Sequence, residues 1–386
     1  MENRLSTLFT EFFQSEKAGG FILIGCTIIS LLIANSSWGD SYIHFWHEKV
    51  GGLSIEHWIN DGLMAVFFLL VGLEIERELY VGELSEWRNA MLPIAAALGG
   101  MLIPAIFHFA FNTGTPTVNG FGIPMATDIA FALGILSLAG NRVPVNLKIF
   151  LTALAIIDDL GAILVIALFY TDDLNLIYLF SGLGIFGGLY LMGRLGVQKL
   201  IFYILPGLLL WFCFLQSGVH ATISGVLLAF AIPFGKGDEG SPSYRLQHFL
   251  HKPVAFFILP VFALANTGIV IVEGFHRSLF TANSLGIMAG LVLGKPIGVL
   301  GFSWLAVKIR LATLPLGVNW SKILVAGIIA GIGFTMSIFI TLLAFSNPDL
   351  VVSSKMAILL SSIVAALLGW LVLYLTGIKK KAEISK

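Results

Sequence analysis

A chain of 386 residues that is 57% hydrophobic and only 11% charged, with a mean hydropathy of +0.93, lacks the polar groups to cover a water-soluble globule of its size. Lys and Arg balance Asp and Glu at 22 each and no basic tract is long enough to suggest nucleic acid, so the composition calls for a polytopic membrane protein. Cys26 and Cys213 fall inside apolar runs without metal-ligand spacing and read as buried free thiols, which argues against a redox centre.

Apolar runs of spanning or near-spanning length recur about twelve times, at roughly 12–34, 59–80, 91–111, 121–139, 147–170, 177–193, 200–214, 218–233, 253–272, 284–307, 322–345 and 354–377. The first is preceded by Glu2, Glu11 and Glu16 as well as Arg4 and Lys17, whereas a secretory signal opens on a cleanly positive region, so it is read as a span. The seventh and eighth runs fall short of the roughly 20 residues of a straight crossing, which suits little tilt or packing inside the bundle. GKGDEG at 235–240 is a short polar loop, so residues 1–386 are expected to form a single membrane domain. With both termini cytoplasmic, only Lys49, Arg277 and Lys355 fall outside and Lys295 lies within a span, leaving every other Lys and Arg on the inner side. Losing one span would scramble that bias.

The fifth run, 147–170, carries Asp158 and Asp159 near the middle of its stretch Leu151 to Tyr170. An ionisable group at the centre of a bilayer costs about 3 kcal/mol on insertion scales, so a chain that keeps two uses them on an ion or proton path. Asp158 lies about 10 residues, or about 15 Å, from the cytoplasmic start of its span, half of a roughly 30 Å core. Lys295 lies equally deep, and so do Asp128 and the glycines Gly327, Gly331 and Gly333. In the fourth span Gly122 and Pro124 closely precede Thr127 and Asp128, which predicts an interrupted helix. In the eleventh, the glycines are followed by Thr335 and Ser337, which suggests a second interruption, although glycine in membrane helices also marks close packing. Two broken helices at matching depth point to an inverted-repeat transporter with its site at the midplane.

Adjacent residues on a helix point about 100° apart, so Asp158 and Asp159 cannot both face one ion squarely. One is expected to meet the cation and the other a group on a neighbouring span, where Lys295 is the basic residue at that depth. Burial penalises the charged form of a carboxylate and of a lysine, and pairing restores it, so such groups can change protonation near neutral pH. A hard cation wants oxygen ligands, here carboxylate, the Thr127 hydroxyl and freed carbonyls, so Na⁺ and H⁺ would compete for the same atoms.

The stretches ATDIAFALGILSL, LKIFLTALAIIDDLGAILVIALFY, SGVHATISGVL, LGKPIG, GIGFTMSIFI and NDGLMAVFFLLVGLEIERE resemble the NhaA family of bacterial sodium/proton antiporters along nearly the whole chain. The resemblance implies an all-α fold of about 12 transmembrane helices with inverted repeats and two interrupted helices crossing at the midplane, a property for which this family is known. It implies that Asp159 is the principal Na⁺ or Li⁺ ligand, that Asp158 pairs with Lys295, and that Thr127 and Asp128 lie at the crossing of the unwound helices, with Pro124, Gly331 and Gly333 in the broken segments. It also implies exchange of about two H⁺ for one Na⁺ or Li⁺, activity at alkaline pH, a homodimer and a bacterial inner-membrane location. Moving one net charge is worth about 2.3 kcal/mol per 100 mV. No cofactor is implied beyond the transported ions.

A pH-sensing cluster in the family maps onto Glu74, Arg77, Glu78, His248 and His251, and His220 matches a histidine linked to pH response. Charged helix ends at an interface give the first group an ordinary explanation as well. His220 read alone is a hydrogen-bonded packing residue. Gln247 stands where the best-known member is acidic, and Glu76 where it is basic, so the charge pattern of the sensor differs here. Asp61 reads as a solvated or cap-like residue. Gly51 and Gly52 read as a two-residue hairpin turn in the first outer loop, and the resemblance makes that hairpin, Lys49 to Ile55, the joint of the dimer.

Two other classes compete with the antiporter. An intramembrane aspartyl protease also needs two membrane aspartates, but it carries its GxGD motif within a membrane helix, and the GxGD sequence here, Gly235 to Asp238, falls in the polar loop between two apolar runs. A proton-coupled symporter of a small organic solute would want a larger polar pocket than these spans offer.

Overall fold

In hydrocarbon a backbone must satisfy its own N–H and C=O groups, and the helix does so within one segment. The structure, a computed structural model, describes residues 2–138, 143–171, 174–271 and 275–384. Arg142 and Lys386, part of the orientation argument, lie outside the described residues, as do the span ends at 139 and 272.

In chain order the helices are α1 (Glu2–Ala34), α2 (Gly39–His47), α3 (Ile55–Tyr80), α4 (Trp87–Asn112), α5 (Ile129–Leu138), α6 (Val145–Phe169), α7 (Leu176–Arg194), α8 (Ile201–Ser217), α9 (Ile223–Ala231), α10 (Pro242–Asn266), α11 (Ala282–Lys308), α12 (Trp320–Ala330), α13 (Phe334–Ala344) and α14 (Pro348–Ile384). Among the described residues seven helices are long and apolar enough to cross a bilayer, or up to ten if each of three bent pairs counts as one span. The eighth apolar run, expected to continue over 218–233, is helical only from Ile223 to Ala231, because Gly218 turns the chain at φ +83° and residues 218–222 are irregular.

The expected interruptions are both present. A 3₁₀ segment, Pro116–Met125, meets α5 at 46°, and α12 meets α13 at 47°. Helices α10 and α11 each widen into a π-turn, at Val254–Ile258 and Gly290–Gly294, shortly before Pro260 and Pro296. A proline lacks the N–H that would close the regular bond four residues back, and its ring crowds that carbonyl, so the preceding turn widens.

The chain divides into two compact units. The first comprises 1–24, 86–162 and 271–386, and therefore holds α4, both broken segments, most of α6, and α11 to α14. Here α4 and α11 pack backbone to backbone: a Cβ on Gly298 would lie 2.0 Å from the Gly99 carbonyl oxygen, so only glycine allows this approach.

The second unit comprises 25–85 and 163–270. In it α3 packs on α9, and the carbonyls freed where α10 ends are met by side chains. Tyr42 Oη and Ser30 Oγ donate to Leu264 O at 2.7 and 2.9 Å, and Asn35 donates to Ile269 O at 2.8 Å. The hairpin pairs β1 (Lys49–Val50) with β2 (Leu53–Ser54), and Gly51 and Gly52 both take positive φ, as a two-residue turn demands. Trp58 donates from Nε1 to Val50 O at 2.8 Å and stacks on Trp211, fixing the hairpin to α3.

Candidate functional site

Breaking a helix leaves carbonyls without partners at one new end and N–H groups at the other. In the first unit each break supplies what the other lacks. Asp128 N–H donates to Ile332 O at 2.7 Å, Thr127 Oγ1 lies 2.9 Å from Ala330 O, and Ser337 Oγ donates to Ile123 O at 2.7 Å. Asp128 answers the N–H groups: Oδ1 accepts from Phe131 N–H at 2.9 Å, and Oδ2 accepts from Thr335 N–H at 3.1 Å and from the Thr335 hydroxyl. One buried carboxylate thus caps the N-termini of both α5 and α13, where the partial positive charge of each helix favours an anion. Gly331 lets this junction sit against α11, since a Cβ there would fall 2.4 Å from Leu291 O.

Thr127 links this junction to the fifth span. Its hydroxyl lies 2.8 Å from Asp158 Oδ2 and accepts from Lys295 Nζ at 3.0 Å, while Lys295 Nζ meets the same Asp158 oxygen at 2.5 Å. Lys295 and Asp158 are both fully buried, so the charges must be matched closely to persist there. The hydroxyl carries one hydrogen for two acceptors, Asp158 Oδ2 and Ala330 O, and can serve one fully at a time. Asp158 Oδ1 is buried with no hydrogen-bond partner among the described residues, which leaves lone pairs available to a cation. Asp159 is buried one residue on. The structure therefore brings together Thr127, Asp128, Asp158 and Lys295, with Pro124, Gly331 and Gly333 in the segments that hold them.

The sequence reading missed Thr335 as a partner of Asp128. It noticed the hydroxyl only as a sign of a break, because the contact joins residues far apart in the chain. A carboxylate that directly follows an interruption signals a cap of its own helix, and nothing local signals the second.

The second unit holds the residues assigned to pH response. His251 Nε2 lies 3.6 Å from Glu74 Oε1, and Arg77 Nη2 lies 2.8 Å from Glu78 Oε1. The other Glu78 oxygen accepts from Glu83 N–H at 3.0 Å. His248 is exposed and stacks on Tyr244. Gln247 and Glu76 are buried, and Gln247 Nε2 and Glu76 Oε2 have no hydrogen-bond partner among the described residues. His220 Nε2 bonds the Tyr170 carbonyl at 2.6 Å, the packing role its own sequence context suggests. Asp61 lies 2.9 Å from His57 Nε2.

With this geometry in hand, comparison with known proteins is informative. The family model described as "Na+/H+ antiporter 1" matches residues 10–373. The relative named Na(+)/H(+) antiporter NhaA from Dechloromonas aromatica is 61% identical over 374 residues, covering 96% of either chain. Its namesake from Flavobacterium psychrophilum is 58% identical over 95% of this chain and 96% of that one, and that of Aliivibrio salmonicida is 50% identical over 98% and 100%. Among solved structures, the sodium proton antiporter MjNhaP1 from Methanocaldococcus jannaschii at pH 8 superposes with a TM-score of 0.53 at 16% identity, covering 94% of this chain and 99% of that one, a likeness of fold. The chain belongs to the Na+/H+ antiporter 1 family, a family of transporters rather than enzymes.

Proposed function

We propose that this chain is an electrogenic antiporter that exports Na⁺ or Li⁺ in exchange for about two H⁺ and is regulated by pH. The observation that carries it is the buried triad of Lys295, Asp158 and Thr127 with Asp159 as the next residue. Two adjacent buried carboxylates share the site with one lysine, and Lys295 pairs with Asp158, so the negative charge of Asp159 is balanced by either a proton or a cation. Asp128 adds no demand for a cation, because two helix N-termini already hold it.

On this reading Asp159 receives the desolvated cation, with Asp158 and Thr127 supplying further oxygens. A bound cation offers Asp158 a second positive partner and weakens its hold on Lys295. Protons leave the carboxylates as the cation binds and return when it departs, with either Asp158 or Lys295 giving up the second. Residues 1–386 act as one transport domain of about twelve spans in the bacterial inner membrane, with both termini cytoplasmic and the broken helices crossing at the midplane. The chain dimerises through the hairpin at Lys49 to Ile55. Glu74, Arg77, Glu78, His220, Gln247, His248 and His251 set the pH response.

Na⁺-driven and Li⁺-driven proton movement in everted membrane vesicles, scanned across neutral to alkaline pH, tests the reading. Wild type is expected to exchange increasingly as pH rises, and Asp159→Asn not at all. Full exchange by Asp159→Asn removes the site assignment, and no cation-dependent signal in wild type removes the antiporter itself.

A further inference from the structure

A buried hydroxyl inside a helix can satisfy itself by donating to the carbonyl four residues back, as Thr341 and Ser361 do at 2.8 and 2.7 Å. Thr152 does not. It sits inside α6, 4% exposed, and its Oγ1 has no hydrogen-bond partner among the described residues. An unmade bond in a buried site costs about 1–3 kcal/mol, so a hydroxyl left this way is available to a ligand without breaking anything.

Its position on the helix says which ligand. Thr152 precedes Asp159 by seven residues, which returns it to within about 20° of the same helical face, whereas it lies about 120° from Asp158. The intervening positions nearest that face, Ala155 and Ile156, fall on either side of it, each about 50° away, so neither side chain stands directly between the two. Seven residues span about 10 Å along the axis, too far for one ion with oxygen contacts near 2.4 Å to touch both residues. Thr152 is therefore no co-ligand of the ion at Asp159. From the reading proposed above, we infer that Thr152 is a separate oxygen station for the alkali cation, one step to the cytoplasmic side of Asp159 on the same face of α6. Its hydroxyl oxygen replaces one water of the partly dehydrated ion before the carboxylate takes over. It acts on entry from the inside and has no part in the exchange of protons at the aspartates.

The test compares cation dependence on the two faces of the membrane. Thr152→Val keeps the shape and removes the oxygen. In everted vesicles, where added Na⁺ meets the cytoplasmic face, it is expected to raise the KM for Na⁺ about fivefold with the maximal rate unchanged. In right-side-out vesicles its KM is expected to match wild type, and Thr152→Ser is expected to restore the everted value. Ser303, whose Oγ is also buried without a partner among the described residues, lies on α11 and does not share this face, so Ser303→Ala is expected to leave KM unchanged. An unchanged KM for Thr152→Val, or an equal rise on both faces, overturns the inference while leaving the wild-type exchange, and so the antiporter reading, intact. Failure of exchange in wild type is a different result and strikes that reading instead.

Discussion

Two clusters of ionisable groups in this chain look alike in sequence and differ in physics. In the first unit Lys295 and Asp158 are fully buried, and they share one oxygen with a hydroxyl that also reaches a helix break. In the second, Glu74 and the His251 imidazole stand 3.6 Å apart and Arg77 pairs with its own neighbour, with part of the Arg77 and His251 side chains still exposed. Solvent touches the second group through Arg77 and the edge of His251, and cannot reach the first. A carboxylate paired with a basic group is therefore worth more in the first place than in the second, and the chemistry that must couple a cation to a proton belongs where a charge has no alternative partner.

The sharpest way to break this contrast is Lys295→Ala. It strands Asp158 in a site with no water, and removal of one partner of a buried pair costs about 3–5 kcal/mol. Thermal unfolding of the purified protein in detergent should report a loss of that order. Some exchange is expected to survive with altered pH dependence or electrogenicity, since protonation can neutralise the stranded carboxylate. A stability equal to wild type would mean that the pair is not closed in the membrane.

Asp128→Asn is expected to come next. The amide keeps one oxygen, but its NH₂ would confront donors from Thr335 or Phe131, leaving at least one buried N–H unmet at about 1–3 kcal/mol. Thr335→Val removes only the hydroxyl and should cost less, about 1.5 kcal/mol for a bond to a charged acceptor. If Thr335→Val proves the more damaging of the two, the carboxylate is not what holds the two helix starts together.

How much of this could be read beforehand follows from how local each signal is. Pro124 with Gly122, and the glycines around Gly331, disclosed both breaks, because a missing N–H or Cβ acts within a turn of itself. Depth along a span disclosed that Asp128, Asp158 and Lys295 share a layer. That the two breaks would exchange hydrogen bonds was visible only as a general expectation, and the service of Asp128 to α13 was not visible at all. The helix α9 is shorter than its apolar run because hydrophobicity reports burial and not helix continuity, and Gly218, the first residue of that run, turns the chain before the helix starts at Ile223.

The second unit gives smaller effects. Glu74→Gln removes the negative charge facing His251 but keeps a side-chain oxygen that can accept a hydrogen bond, so unfolding should barely move. The pH profile of exchange is expected to shift while the maximal rate holds. Loss of exchange at every pH would put Glu74 in the transport path instead of its control.

The smallest expected effect is at the hairpin, where it isolates the dimer question. Trp58→Phe keeps an aromatic ring to stack on Trp211 and deletes the indole N–H that holds Val50 O at 2.8 Å. One neutral hydrogen bond contributes about 0.5–1.5 kcal/mol, and less where water can replace it, so the fold of the protomer and the site around Asp158 should be untouched. The hairpin, a two-residue ladder with a Gly-Gly turn, has little else to fix its orientation, so the deletion acts on its position more than on its formation. If the hairpin joins two copies, the variant should dissociate at higher protein concentration than wild type in a dilution series followed by native mass spectrometry, with unaltered exchange in vesicles. An identical dissociation curve would mean that the copies meet through another surface and that Trp58 serves only its own protomer.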